Sequence, residues 1–268
     1  MNKQFPIFLL LIGLLGISGC ASLPNTVEER IDNRRVEYAL TEGGPTTVVF
    51  ETGLGARMDW WENVLPELAG QATTLAYNRA GYGSSDSVSG TRDGERIVDE
   101  LRQLLLAKNL PPPYVLVGHS LGGLYMQLFA RRYPDEVSAL ILVDSTHPRQ
   151  LQGDGAYDNW PLWVRIVFDL AFATSAEDVK REFDTINTTG DQVLALPTVS
   201  DKPVIVLSAL QPTEESSALA DDSNAKRRDL VRLYPGAKQI WVDSGHAIPL
   251  EKPDAVVSAI RDALNWRQ

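Results

Sequence analysis

From about Asn33 onward, short apolar runs alternate along the chain with longer amphipathic stretches, and this rhythm restricts the fold more than any other feature of the sequence. The runs Thr46–Phe50, Ala72–Tyr77, Tyr114–Val117, Ala139–Val143, Val204–Ser208 and Gln239–Val242 have the length and apolar character of buried strands. Between them, helical periodicity covers Trp60–Ala69, Asp93–Leu106, Leu121–Tyr133, Glu214–Leu233 and Pro253–Trp266. Strand and helix in alternation predict an α/β fold with a mostly parallel sheet and helices on both faces. At 268 residues and 44% apolar composition the chain can bury such a core. The formal charge of −10 repels phosphate backbones, so no nucleic-acid partner is expected. One Cys and three His supply no zinc-type ligand set, and no cofactor or metal is expected.

Two stretches break the rhythm. From His147 to Lys202 no strand pattern occurs, and aromatic and helical patterns gather around Trp160, Trp163, Phe168 and Phe172. Ser175 and Asp178 have the spacing of a capping box that would open a further helix. An insertion of this length at a strand end predicts a small helical cap over the sheet, spanning about 147–202. The other stretch is the N-terminus, where Lys3 precedes an apolar run from Phe5 to Ile17 that is short for a membrane span and suited to a signal-peptide core. Its end, Ile17-Ser18-Gly19-Cys20, resembles the lipobox of bacterial lipoproteins. That resemblance implies cleavage after residue 19, lipidation of Cys20 and export to the cell envelope. With Ala21 following the Cys, it implies the outer membrane in a Gram-negative source. Polar residues to Asp32 then read as a tether, with the globular domain spanning 33–268.

The strongest chemical signal is Gly118-His119-Ser120-Leu121-Gly122-Gly123, which follows the strand Tyr-Val-Leu-Val and opens a helical pattern. It is a G-x-S-x-G in strand–turn–helix context, where small residues permit a sharp turn and the serine hydroxyl stands at a helix N-terminus. A serine hydroxyl is a weak nucleophile until a base, itself oriented by a carboxylate, is held beside it. The histidines beyond Ser120 are His147 and His246. His119 is its neighbour and cannot easily fold back onto it.

On this elbow, and on Asn78-Arg79-Ala80-Gly81-Tyr82-Gly83-Ser84-Ser85, the chain resembles the α/β-hydrolase family from about Thr41 to Trp266. The second segment is similar to the family's D-x-R-G-x-G-x-S, with Asn78 and Ala80 as departures, and is structural there. The resemblance implies an α/β-hydrolase fold with the cap inserted after strand 6, and a triad in the order serine, acid, histidine. Ser120 is then the nucleophile and His246 the base, with His147 a cap-hinge or pocket residue. For the acid, Asp144 follows strand 6, a position used by a variant of the family; Glu214 and Glu215, beyond strand 7, are the alternative. The oxyanion donors implied are the amides of Leu121 and of Leu54, the latter in Glu51-Thr52-Gly53-Leu54-Gly55, where many members have His-Gly-x.

Together these features predict a membrane-tethered serine hydrolase acting on a small-molecule ester, thioester or lactone through an acyl-serine intermediate. The alternatives are a ligand-binding sensor of the same fold with little turnover, and an amidase or acyltransferase using the same triad. The serine disfavours the dehalogenase and epoxide-hydrolase branches, which carry aspartate there.

Overall fold

The computed structural model describes residues 23–210 and 217–266; Cys20, Glu214 and Glu215 lie outside them. Among the described residues, eight strands form a single sheet in the order β1-β2-β4-β3-β5-β6-β7-β8. The strands are β1 (Thr26–Ile31), β2 (Arg34–Thr41), β3 (Thr47–Glu51), β4 (Thr73–Tyr77), β5 (Tyr114–His119), β6 (Val137–Val143), β7 (Val204–Ala209) and β8 (Lys238–Val242). From β3 to β8 the pairing is parallel, while β1–β2 and β2–β4 are antiparallel.

The central strands are apolar on both sides because both sides are covered. Val49, Leu75, Leu116, Leu140 and Val206 point to one face, where they pack with α1 (Gly94–Ala107) and α2 (Leu121–Arg132). Val48, Phe50, Val115, Val117 and Ile141 point to the other and meet the terminal helix (Pro253–Leu264) through Val256, Val257 and Ile260. This two-residue alternation is the strand period itself, read out as two cores.

The cap lies between β6 and β7 and contains α3 (Leu162–Ala173), α4 (Glu177–Asp184) and α5 (Ile186–Leu194). Its own core is aromatic: Trp160, Val164 and Phe168 are buried together, with Tyr157, Phe172 and Phe183 packed around them. The helix after β7, α6, runs Ala218–Leu230 and is capped by the Ser217 side chain, which accepts from the Ala220 amide. A short helix, α7 (Ile248–Glu251), then precedes the terminal helix, α8.

Several expectations are corrected. The segment read as a tether to Asp32 contains β1, which pairs along its whole length with β2. Its burial shows no alternation because it is an edge strand with mostly exposed side chains, Ile31 alone being buried. The legible signal was the turn: Asp32 and Asn33 join Ile31 to Arg34 with φ of 49° and 61°, the two positive values that a two-residue type I′ hairpin requires. The helix expected over Trp60–Ala69 is instead two 3₁₀ turns, Met58–Trp61 and Leu65–Leu68, since Pro66 removes an amide from the ladder. Helix α6 begins at Ala218 after the Ser217 cap; its expected start, Glu214, lies outside the described residues. The Ser175–Asp178 capping box does not form: α4 is preceded by Ala176 without a side-chain cap, and Asp178 is buried against Arg181 and Ser87.

The hairpin generates a test. Replacing both Asp32 and Asn33 by Ala puts two Cβ-bearing residues without a compensating side-chain bond at positive φ and is expected to cost about 2 kcal/mol or more in urea denaturation. Asn33→Gly is expected to change stability by less than about 0.5 kcal/mol.

Candidate active site

At the C-terminal end of β5 the chain turns abruptly into α2. Ser120 carries the turn with φ of 53° and ψ of −124°, a conformation costly for a residue with a Cβ. It is held by three backbone bonds: its amide donates to Val143 O at 3.1 Å, and its carbonyl accepts from the amides of Gly123 and Thr146, both at 2.9 Å. Gly122 is required by proximity, since a Cβ there would lie 2.4 Å from the Thr52 carbonyl oxygen. The elbow and the loop after β3 therefore pack backbone to backbone.

His246 reaches the elbow from the loop between β8 and α7. Its Nε2 lies 3.0 Å from Ser120 Oγ and its Nδ1 2.6 Å from Asp144 Oδ2. The carboxylate only accepts, so Nδ1 carries the proton that it donates to Asp144 and Nε2 accepts from the serine hydroxyl. Asp144, at φ 38° just past β6, is brought to this site; the residues 214 and 215 that offered the alternative acid lie outside the described segments. Its Oδ1 also accepts from the Ala209 amide at 3.2 Å and from Arg227 Nε at 2.8 Å, and its Oδ2 from Arg227 Nη2 at 2.9 Å. Burial opposes ionisation of Asp144, but the Arg227 guanidinium and His246 outweigh it and hold the carboxyl well below the usual range.

His119 does turn away from the serine, as its position in the sequence suggested, and it has a structural task there. Its Nε2–H donates to the His246 carbonyl at 2.9 Å, and its ring stacks on Trp60 with centroids 5.1 Å apart. Burial, with the neighbouring His246, pushes it down to about 3. His147 is remote from this chemistry, since Asp229 accepts from its Nε2 at 3.2 Å and its Nδ1 accepts from the Arg149 amide at 3.0 Å. It pins the chain where the cap begins.

Beside Ser120 a small cavity is lined by Gly53, Leu54, Ala56, Trp60 and His119 from the sheet domain and by Phe168, Phe172 and Val179 from the cap. A Cβ on Gly53 would stand 3.0 Å from Ser120 Cβ and 3.4 Å from its Oγ, inside the space above the serine side chain. Leu121 is the first residue of α2, so its amide has no acceptor within the helix. Leu54 follows Gly53 on the facing loop. The described residues contain no group of three or more His, Cys, Asp or Glu that could hold a metal ion.

The sequence model of the alpha/beta hydrolase fold matches residues 46–229, more than half of the chain. The chain belongs to the α/β-hydrolase fold family. It is 32% identical over 236 residues to the uncharacterized protein YqjL of Bacillus subtilis, covering 81% of this chain and 82% of that one. With the 2-(acetamidomethylene)succinate hydrolase of Mesorhizobium japonicum it shares 25% identity over 239 residues, 88% of this chain and 83% of the relative. Among solved structures, the enol-lactonase of Burkholderia xenovorans LB400 superposes with a TM-score of 0.67 at 17% identity, over 90% of this chain and 100% of that one.

Two departures from the α/β-hydrolase pattern now have local reasons. Asn78, where the family has Asp, donates to Glu37 Oε2 at 2.6 Å and accepts from the Met58 amide at 2.8 Å, so an aspartate there would face a second carboxylate. The His missing from the loop after β3 is replaced by Thr52, whose hydroxyl donates to the Ala56 carbonyl at 3.0 Å and closes the loop on itself. Arg227 and the buried Glu182 were not legible beforehand, because helix periodicity gives no sign of which exposed-type residue turns inward.

His119 gives the site a pH signature. Its ordinary value is 6.5 and its folded value about 3, so between these the unfolded chain binds a proton that the folded one refuses. The stability it contributes is complete above about pH 6.5 and is lost as pH falls towards 3. His119→Gln is expected to flatten urea-derived stability between about pH 6 and 4 by up to about 1.4 kcal/mol per pH unit.

Proposed function

We propose that the protein is a serine hydrolase that cleaves a carboxylic ester, thioester or lactone through an acyl-Ser120 intermediate. The observation that carries this reading is the continuous hydrogen-bond chain from Ser120 Oγ through His246 to Asp144. A 2.6 Å bond to a carboxylate fixes the histidine tautomer that base catalysis needs, and the family resemblance implies the amides of Leu54 and Leu121 as oxyanion donors.

In the first step the proton of Ser120 passes to His246 Nε2 while Oγ bonds to the substrate carbonyl carbon. The negative charge that develops on the carbonyl oxygen is taken by the amides of Leu54 and Leu121. Collapse breaks the carbon–oxygen bond of the ester, and the departing alkoxide receives the proton from His246. Water then gives a proton to His246 and adds to the acyl carbon; the second collapse releases the acid and returns the proton to Ser120. Throughout, Asp144 stays ionised and stabilises the imidazolium, and Arg227 keeps its carboxylate directed. The apolar walls contributed by Trp60, Phe168 and Phe172 suit an apolar acyl group, with the charged residues kept outside the cavity lining.

We further propose that the enzyme is attached to the bacterial envelope through a lipidated Cys20. The support is the sequence Ile17-Ser18-Gly19-Cys20 and the apolar run that precedes it.

Labelling with a fluorophosphonate, read by intact mass, tests the chemistry. One adduct per chain is expected on the parent protein and none on Ser120→Ala. Asp144→Asn is expected to lower kcat on a p-nitrophenyl ester by about 10⁴-fold, as loss of the tautomer does in triads. A folded parent protein that takes no label would favour a ligand-binding role. For the attachment, Cys20→Ser is expected to abolish detergent-phase partitioning of the expressed protein; retention of partitioning would contradict lipidation.

A further inference from the structure

Arg79 lies in the segment after β4 that the sequence reading left as structural, and its side chain is 1% exposed. Every nitrogen of its guanidinium is committed. Nη1 donates to Glu51 Oε1 at 2.5 Å and to the Thr52 carbonyl at 2.8 Å; Nη2 donates to the Gly53 carbonyl and to Glu182 Oε2, both at 2.9 Å; Nε donates to both Glu182 oxygens at 3.1 Å. Two of its targets are carbonyls of the loop that faces Ser120. In a trans peptide the C=O of Gly53 and the N–H of Leu54 lie in one plane and point in opposite directions. Drawing the Gly53 oxygen towards Arg79 thus turns the Leu54 amide away from Arg79. The reverse orientation would aim a carbonyl oxygen at the developing anion and strip a buried cation of an acceptor.

The other end of this arrangement belongs to the cap. Glu182, on α4, is fully buried and meets Arg79 with two oxygens from 103 residues away in sequence. It also accepts from Arg92 Nη2 at 3.3 Å and from Tyr82 Oη at 2.7 Å. Tyr82 Oη in turn accepts from the Gly55 amide at 3.2 Å. Thr52, Gly53 and Gly55 are therefore all tied, through Arg79 or Tyr82, to one carboxylate supplied by the cap.

We infer that Arg79 is a positioning residue that aims the Leu54 amide into the oxyanion site, and that Glu182 makes this aim depend on the cap being seated. The inference rests on the acyl-transfer reading for the purpose of the loop, but the orientation of the peptide is a property of the protein alone. The cap is then a part of the catalytic apparatus as well as a wall of the cavity.

The experiment has a readout of each kind. In ¹⁵N-leucine-labelled full-length protein, with the Leu54 amide resonance assigned by its loss in Leu54→Met, Glu182→Gln is expected to displace that resonance or broaden it. In parallel, Glu182→Gln and Tyr82→Phe are expected to lower kcat on a p-nitrophenyl ester by about tenfold or more with KM changed less than about twofold. Affinity for a phenylboronic acid, which forms a tetrahedral adduct, should fall by the same factor as kcat/KM. Tyr82→Phe removes a hydroxyl without adding or removing charge, so it carries the test if Glu182→Gln fails to fold. An unmoved Leu54 resonance, or unchanged kcat in the folded variants, would overturn the inference. A parent protein with no esterase activity and no fluorophosphonate labelling would instead defeat the hydrolase reading, and the Leu54 resonance would still decide the orientation.

Discussion

The positive φ of Ser120 at the junction of β5 and α2 is the constraint from which the rest of the site follows. A strand that ended in relaxed geometry would carry its next side chain along the sheet surface. The sharp turn instead lifts the hydroxyl above the C-terminal ends of the parallel strands, where the loops after β3, β6 and β8 converge. The strain is tolerated because the turn is over-determined: three backbone bonds hold Ser120, and Gly122 lets the first turn of α2 rest directly on Thr52. The close packing that permits the elbow also brings the loop carrying Leu54 to the cavity beside Ser120.

Two ion pairs, each with a buried carboxylate, then decide where the polar parts can stand. Asp144 meets Arg227 through two parallel bonds, and Arg79 meets Glu182 in the same fashion. Buried charges contribute little net stability, since desolvation offsets much of the attraction, but leaving one partner alone is strongly unfavourable. Their effect is therefore to forbid alternatives. A rotated Asp144 or a displaced α4 would strand a cation, so the carboxylate beside His246 and the carbonyls of the loop after β3 are held to one arrangement. Neighbouring His119 acts likewise with a neutral ring, fixing the His246 backbone by a single donated bond.

The cap serves the site in two distinct ways. Phe168 and Phe172 close the cavity over Ser120 with apolar surface, whereas Glu182 reaches past them into the sheet domain. The aromatic packing inside the cap, where the Phe183 ring of α4 lies 4.9 Å from that of Phe168 and 5.1 Å from that of Phe172 on α3, keeps α3 and α4 a unit. Motion of that unit would alter the cavity wall and the loop anchor together.

The sequence by itself determined the fold class, the six parallel strands and the identity of the elbow, because strand period and the G-x-S-x-G turn are set by residues adjacent in the chain. It also nominated His246 and Asp144, which the topology brings together from loops following β8 and β6. What it did not yield were the two antiparallel strands: β2, where the buried Glu37 interrupts the apolar run, and β1, whose solvent-facing edge position leaves no hydrophobic alternation to read, although Asp32-Asn33 marked the turn between them. Nor did it yield Arg227, Glu182 or the partners of Arg79. Each of these is a charged residue on or beside a regular element, indistinguishable in sequence from its exposed neighbours. Only the tertiary structure decided which of them turns inward, because Arg227 pairs with Asp144 across 83 residues and Glu182 with Arg79 across 103, and those pairings exist only once the chain has folded.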